Sequence, residues 1–89
     1  MRKAVSRFAE AMENKLKKHD GDRGKDGWLD MTSCTPGWLF GRLTQERAEL
    51  SLALDIRPYS KETRQRIREE CIDVANFAMM IFDQMNHLE

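Results

Sequence analysis

The chain has 89 residues, room for one small domain over 1–89, and its 15 Lys and Arg balance 15 Asp and Glu. That balance supplies no overall field toward nucleic acid or an anionic membrane, so neither is expected as a partner. Its two cysteines, Cys34 and Cys71, have neither the spacing of a metal framework nor the number for a disulfide scaffold. No apolar run is long enough to span a bilayer. Arg2, Lys3 and Arg7 open the chain, but Glu10 and Glu13 follow, against a signal or transit peptide; a cytoplasmic location is the expectation.

Val5, Phe8, Met12 and Leu16 recur every three or four residues and predict a first helix from about Lys3 to Lys18. Asp20 and Gly21 end it, and Gly24 and Gly27 extend the break through a polar segment that holds Trp28. Thr35-Pro36 reads as a helix start, the hydroxyl capping and the proline at the first helical position. The second helix carries Leu39, Leu43, Leu50 and Leu54 as its apolar stripe. It ends near Asp55, because Pro58 disfavours helix at Arg57.

Ser60 caps a third and longest helix, from about Lys61 to Asn86. Ile67, Cys71, Val74, Ala78, Ile81, Met85 and Leu88 alternate at steps of four and three, a coiled-coil-like seam. Phe77, Met79, Met80 and Phe82 widen that seam. At 1.5 Å per residue this helix is roughly 39 Å long, more than the first helix covers alone. The pattern has no β signal. The expected fold is all-α, an antiparallel bundle of three main helices completed by dimerisation.

Chemistry concentrates in two acid pairs. Glu46 and Glu49 lie one turn apart on a shoulder of the second helix's leucine stripe, and Glu70 and Asp73 flank the apolar seam of the third. A short connection sets the two pairs within roughly one turn of each other along the bundle axis. Two readings fit. Four carboxylates beside apolar surface suit a hard divalent cation such as Mg²⁺. Alternatively, they are solvated, or paired with Arg47, Arg64 and Arg68.

Several other motifs fail. Asp20-Gly21-Asp22-Arg23-Gly24 begins like a calcium loop, but Lys25 and Met31 stand at its glycine and glutamate positions. His19 and His87 lie outside both acid pairs, so no di-iron Glu-x-x-His pair exists. There is no phosphate-binding glycine loop and no nucleophile elbow.

Glu46-Arg47-Ala48-Glu49 followed by Glu70-Cys71-Ile72-Asp73 resembles the E-x-x-E…E-x-x-D signature of the MazG-like all-α nucleotide pyrophosphohydrolases. Leu43 and Leu50 frame the first pair as in that family, and Val74-Ala75-Asn76-Phe77 follows the second. Gly24-Lys25-Asp26-Gly27-Trp28 resembles a Gly-Gly-Trp segment of phage and bacterial relatives acting on dATP and dGTP. The similarity covers about Phe8 to Met85; the chain is short for the family, which often has another helix.

The resemblance implies Mg²⁺-dependent hydrolysis of a nucleoside triphosphate to monophosphate and pyrophosphate, with a purine deoxynucleotide favoured and Mn²⁺ able to substitute. It implies Glu46, Glu49, Glu70 and Asp73 as metal ligands, with Glu46 and Glu49 catalytic and Glu46 orienting or deprotonating water. Asn76 resembles a position that can contact sugar or base, and equally fits an exposed or capping amide. Trp28 fits stacking on a base or closing the bundle end, and Lys25 fits a phosphate contact or a solvated face. Trp38 is expected to pack. A homodimer or homotetramer is implied. Competing expectations are a non-catalytic helical interaction module and a dUTP or dCTP hydrolase of the same superfamily.

Overall fold

The computed structural model describes residues 1–88; Glu89 lies outside them. Three α-helices make the fold: α1 Lys3–Lys18, α2 Pro36–Leu54 and α3 Lys61–Asn86, with a single 3₁₀ turn at Gly27–Leu29. Among the described residues there is no strand, and no helix is long and apolar enough to cross a membrane. Both expected caps form. The Trp38 amide donates to Thr35 Oγ1 at 3.0 Å, and the Thr63 amide to Ser60 Oγ at 3.2 Å. Each satisfies one of the amides that a helix start leaves without a partner.

Between α1 and α2 the chain turns at Gly21 and Gly24, with φ of 88° and 83°. These are left-handed values that a side chain resists, which is why glycine stands there. The turns bring Trp28 onto α3. Its indole Nε1 donates to Asp83 Oδ2 at 2.9 Å, and its carbonyl accepts from Gln84 Nε2 at 2.7 Å. Gln84 also donates to the Cys34 carbonyl at 2.7 Å and is itself fully buried. One side-chain amide thus ties the ends of the segment Trp28–Cys34 to α3.

The core lies at that junction. Cys34, Leu39, Phe77 and Met80 are buried together, with Leu16, Trp28, Leu43, Met79 and Ile81 packed around them. Burying a Leu or Phe side chain contributes about 1.5–3 kcal/mol. Beyond this knot α2 and α3 pack along each other, and α1 lies against α3.

The buried faces are not the ones the apolar patterns predict. On α2 the buried residues are Leu39, Glu46 and Ala53, so Glu46 occupies the middle of the face rather than its shoulder, and Leu54 is exposed. On α3 they are Thr63, Asn76, Phe77, Met80 and Gln84, while Ala78, Met85 and Leu88 of the expected seam face outward. The inward face of α3 is rotated by about one residue, roughly 100°, from the apolar seam. That rotation turns Glu70 and Asp73 toward the interior, where both are half-buried. α1 buries no residue fully; Met12 and Leu16 are half-covered, and Val5 and Phe8 are exposed.

Candidate metal centre

Glu46, Glu49 and Glu70 each place one carboxylate oxygen within 4.8 Å of the others. α2 supplies the first two, one turn apart; α3 supplies the third. Glu46 is only 8% exposed, Glu70 is half-buried and Glu49 is open to solvent. The set is therefore anchored at depth and accessible at its rim.

Three negative charges at this spacing repel. At an effective dielectric of 20, each pair at about 5 Å costs on the order of 3 kcal/mol. The protein meets that cost partly by protonation. Burial, then the neighbouring Glu49, Asp73 and Glu70, push Glu46 up from 4.5 to about 7. Burial and the charges of Glu49 and Asp73 also raise Glu70. They outweigh the Arg42 guanidinium, whose Nη2 stands 3.2 Å from Glu46 Oε1.

Asp73 is the outlier. It lies outside the cluster of three, and α1 claims it: Lys15 Nζ is 3.3 Å from Asp73 Oδ1. Its charge still reaches Glu46 and Glu70. The cations on these acids are Arg42 and Lys15, not the arginines that sequence proximity suggested. Arg64 donates to the Tyr59 carbonyl, Arg68 to Gln65, and Arg47 is exposed.

A divalent cation fits the donor set. Oxygens around one six-coordinate Mg²⁺, with bonds of about 2.1 Å, stand about 3–4.2 Å apart. Small rotations of long glutamate side chains close the set to that range. Glu70 Oε2 is buried without a hydrogen-bond partner, an acceptor left unused where desolvation is costly.

Beside the acids opens a cavity of about 500 Å³, with Glu46, Asp73 and Asn76 in its wall alongside Arg23, Trp38 and Arg42. Asn76 is 4% exposed; its Nδ2 donates to the Met12 carbonyl at 3.3 Å, and its Oδ1 is buried without a partner. Lys25 and Trp28 line a separate cleft with the glycine turns. Trp38, expected to pack, is 48% exposed at the cavity, with the Arg23 guanidinium 5.7 Å from its ring. Lys15, Arg23, Arg42 and Trp38 line the cavity, and none of them was expected at the site from the sequence. Only Arg42 carried a signal, one turn before Glu46 on the same helix face.

Comparison with protein-family models, with curated proteins and with solved structures gives no match for this chain.

Proposed function

We propose that this chain is a Mg²⁺-dependent nucleoside triphosphate pyrophosphohydrolase of the MazG-like kind, with purine deoxynucleotides favoured and Mn²⁺ able to replace Mg²⁺. The observation that carries the reading is the convergence of Glu46, Glu49 and Glu70 within 4.8 Å, with a buried oxygen of Glu70 left unpaired. Such a cluster makes a poor stabilising device. Exposed ion pairs return about 0–1 kcal/mol, less than the repulsion here. A bound cation converts that repulsion into binding energy.

In this reading Glu46, Glu49, Glu70 and Asp73 are the metal ligands, Asp73 turning from Lys15 to join the other three. The metal supplies charge neutralisation of the triphosphate and polarisation at the α-phosphorus. Glu46 accepts a proton from the attacking water; its carboxyl, at about 7 in the metal-free protein, would be lowered by a bound cation and so ionised for that task. Glu49 orients that water from the exposed rim. Arg42, Arg23 and Lys15 face the phosphates, Trp38 stacks on the base, and the free Oδ1 of Asn76 accepts from sugar or base. Lys25 and Trp28 serve as outer contacts from the neighbouring cleft.

The bundle is read as antiparallel and completed in a homodimer or homotetramer. Val5 and Phe8 on α1, with Phe82 and Met85 on α3, leave apolar surface for a second copy to cover. The setting is cytoplasmic, with neither nucleic acid nor membrane as partner.

Another reading has specific support. Arg42–Glu46 and Lys15–Asp73 pair two of the four acids within the chain, as a helical interaction module without catalysis would require. A third keeps the site and changes the substrate to dUTP or dCTP. Thermal melts with Mg²⁺ and nucleotide, run beside turnover assays of wild type and Glu49→Gln, separate them. The enzyme reading expects stabilisation and turnover in the wild type and loss of turnover in the variant. Unchanged turnover in the variant, or no effect of metal and nucleotide on the wild type, sinks it.

A further inference from the structure

Two cations of the chain stand where a metal ion would compete with them. Arg42 Nη2 donates to Glu46 Oε1 at 3.2 Å, and Lys15 Nζ lies 3.3 Å from Asp73 Oδ1. Both line the cavity, so each has a carboxylate on one side and open volume on the other. Their side chains are 40% and 33% exposed, so burial locks neither in place.

A third cation shares the wall. The Arg23 guanidinium sits 5.7 Å from the Trp38 ring and 6.0 Å from that of Phe77, and Arg42 lies 5.4 Å from Phe77 on its own account. Arg23 Nε is buried and has no hydrogen-bond partner. A guanidinium held by ring faces at a cavity wall can meet an oxyanion with its terminal N–H groups. The same wall holds Asp22, Glu46 and Asp73, so the three cations suit an anion with several charges only once a metal takes up carboxylates.

We infer that Arg42 and Lys15 are exchangeable counter-ions. Without metal they neutralise Glu46 and Asp73; when a divalent cation takes those carboxylates, they turn into the cavity and join Arg23 on the oligophosphate tail of the substrate. The inference rests on the metal-site reading above. It adds a coupling that a fixed set of ligands and a fixed set of phosphate contacts would not have. Metal binding itself creates much of the anion site, and the linkage is reciprocal.

The coupling has a reciprocal signature, in which removing either partner of an ion pair tightens the ligand that the other partner would bind. In anion-free buffer, calorimetry with Mn²⁺ alone should give three- to tenfold tighter binding to Arg42→Gln and to Lys15→Gln than to wild type. Arg47→Gln, which removes an exposed charge from the same helix, should change it less than twofold. In EDTA, inorganic tripolyphosphate should bind at least threefold tighter to Glu46→Gln, which frees Arg42. That gain should vanish in Glu46→Gln/Arg42→Gln. Glu49→Gln removes the same charge without freeing an arginine and should show a clearly smaller gain.

Unchanged or weaker Mn²⁺ binding in both Arg42→Gln and Lys15→Gln overturns the inference, as does an equal tripolyphosphate gain in Glu46→Gln and Glu49→Gln. A helical, folded wild type that binds no Mn²⁺ overturns the metal-site reading and this inference together. Normal Mn²⁺ binding by the wild type with both variants unmoved overturns the counter-ion exchange alone.

Discussion

Glu46 of α2 and Glu70 of α3 bring carboxylate oxygens within 4.8 Å of each other and of Glu49, and Glu46 does so from the middle of a buried helix face. Leucine at position 46 would continue the stripe of Leu39 and Ala53 and cost nothing in repulsion. The chain instead keeps an acid where acids are least comfortable. Stability given up at one site for chemistry is a frequent pattern in functional proteins.

The first consequence is a pH dependence of the metal-free protein. Glu46 titrates near 7 when folded and near 4.5 when unfolded, and Glu70 is raised in the same direction. Between these values the folded state holds more protons than the unfolded one, so stability falls as pH rises from about 4.5 to about 7. The expected loss is on the order of 1–3 kcal/mol. Urea melts in EDTA at pH 5 and pH 8 measure it, and Glu46→Gln should flatten the difference. A wild type more stable at pH 8 than at pH 5, with Glu46→Gln unchanged, contradicts the assignment.

Metal should reverse that loss. At pH 8, Mg²⁺ or Mn²⁺ at a hundred times its dissociation constant stabilises the folded state by about 2.7 kcal/mol. Glu70→Gln should melt higher than wild type in EDTA, having lost a repelling charge, yet gain little from metal. Differential scanning calorimetry with and without the ion reads both effects. A variant that is less stable without metal and responds to it normally would show that Glu70 is structural.

Gln84 and Trp28 make a separate, structural prediction. Gln84→Leu leaves the Trp28 and Cys34 carbonyls without their donor in the core, at a cost of about 2–4 kcal/mol. Trp28→Phe loses the bond to Asp83 and part of the ring packed on the core, about 1–3 kcal/mol. Trp38→Ala removes a half-exposed cavity residue, so it should leave stability within about 1 kcal/mol of wild type while weakening nucleotide binding at least tenfold. Chemical denaturation and a nucleotide-binding titration on the three variants separate the roles. Weaker nucleotide binding in Trp28→Phe than in Trp38→Ala would exchange the two tryptophans.

Helix limits were legible because local chemistry sets them. Thr35-Pro36 and Ser60 cap where expected, and α1 stops short of Gly21. The inward face of α3 was not legible from its apolar seam, since periodicity assumes that buried means apolar. Here the buried face carries Thr63, Asn76 and Gln84, and the half-buried Glu70 and Asp73 lie along it, while Met85 looks outward. The acid pairs stood out by spacing, but their depth did not, nor did the capture of Asp73 by Lys15. Arg23 and Trp38 reach the cavity through the loop and the first turn of α2, a tertiary placement that no residue spacing encodes.

The measurement that bears most directly on the central claim is a panel of common NTPs and dNTPs with Mg²⁺, scored for pyrophosphate against orthophosphate release, in wild type and Glu49→Gln. Pyrophosphate and nucleoside monophosphate should appear in equal amounts, most strongly with a purine deoxynucleotide. Release should vanish in EDTA, and Glu49→Gln should lose at least a hundredfold in turnover, about 2.7 kcal/mol of transition-state stabilisation. Orthophosphate as the product, or no turnover of any nucleotide by a folded wild type with Mg²⁺, would contradict it.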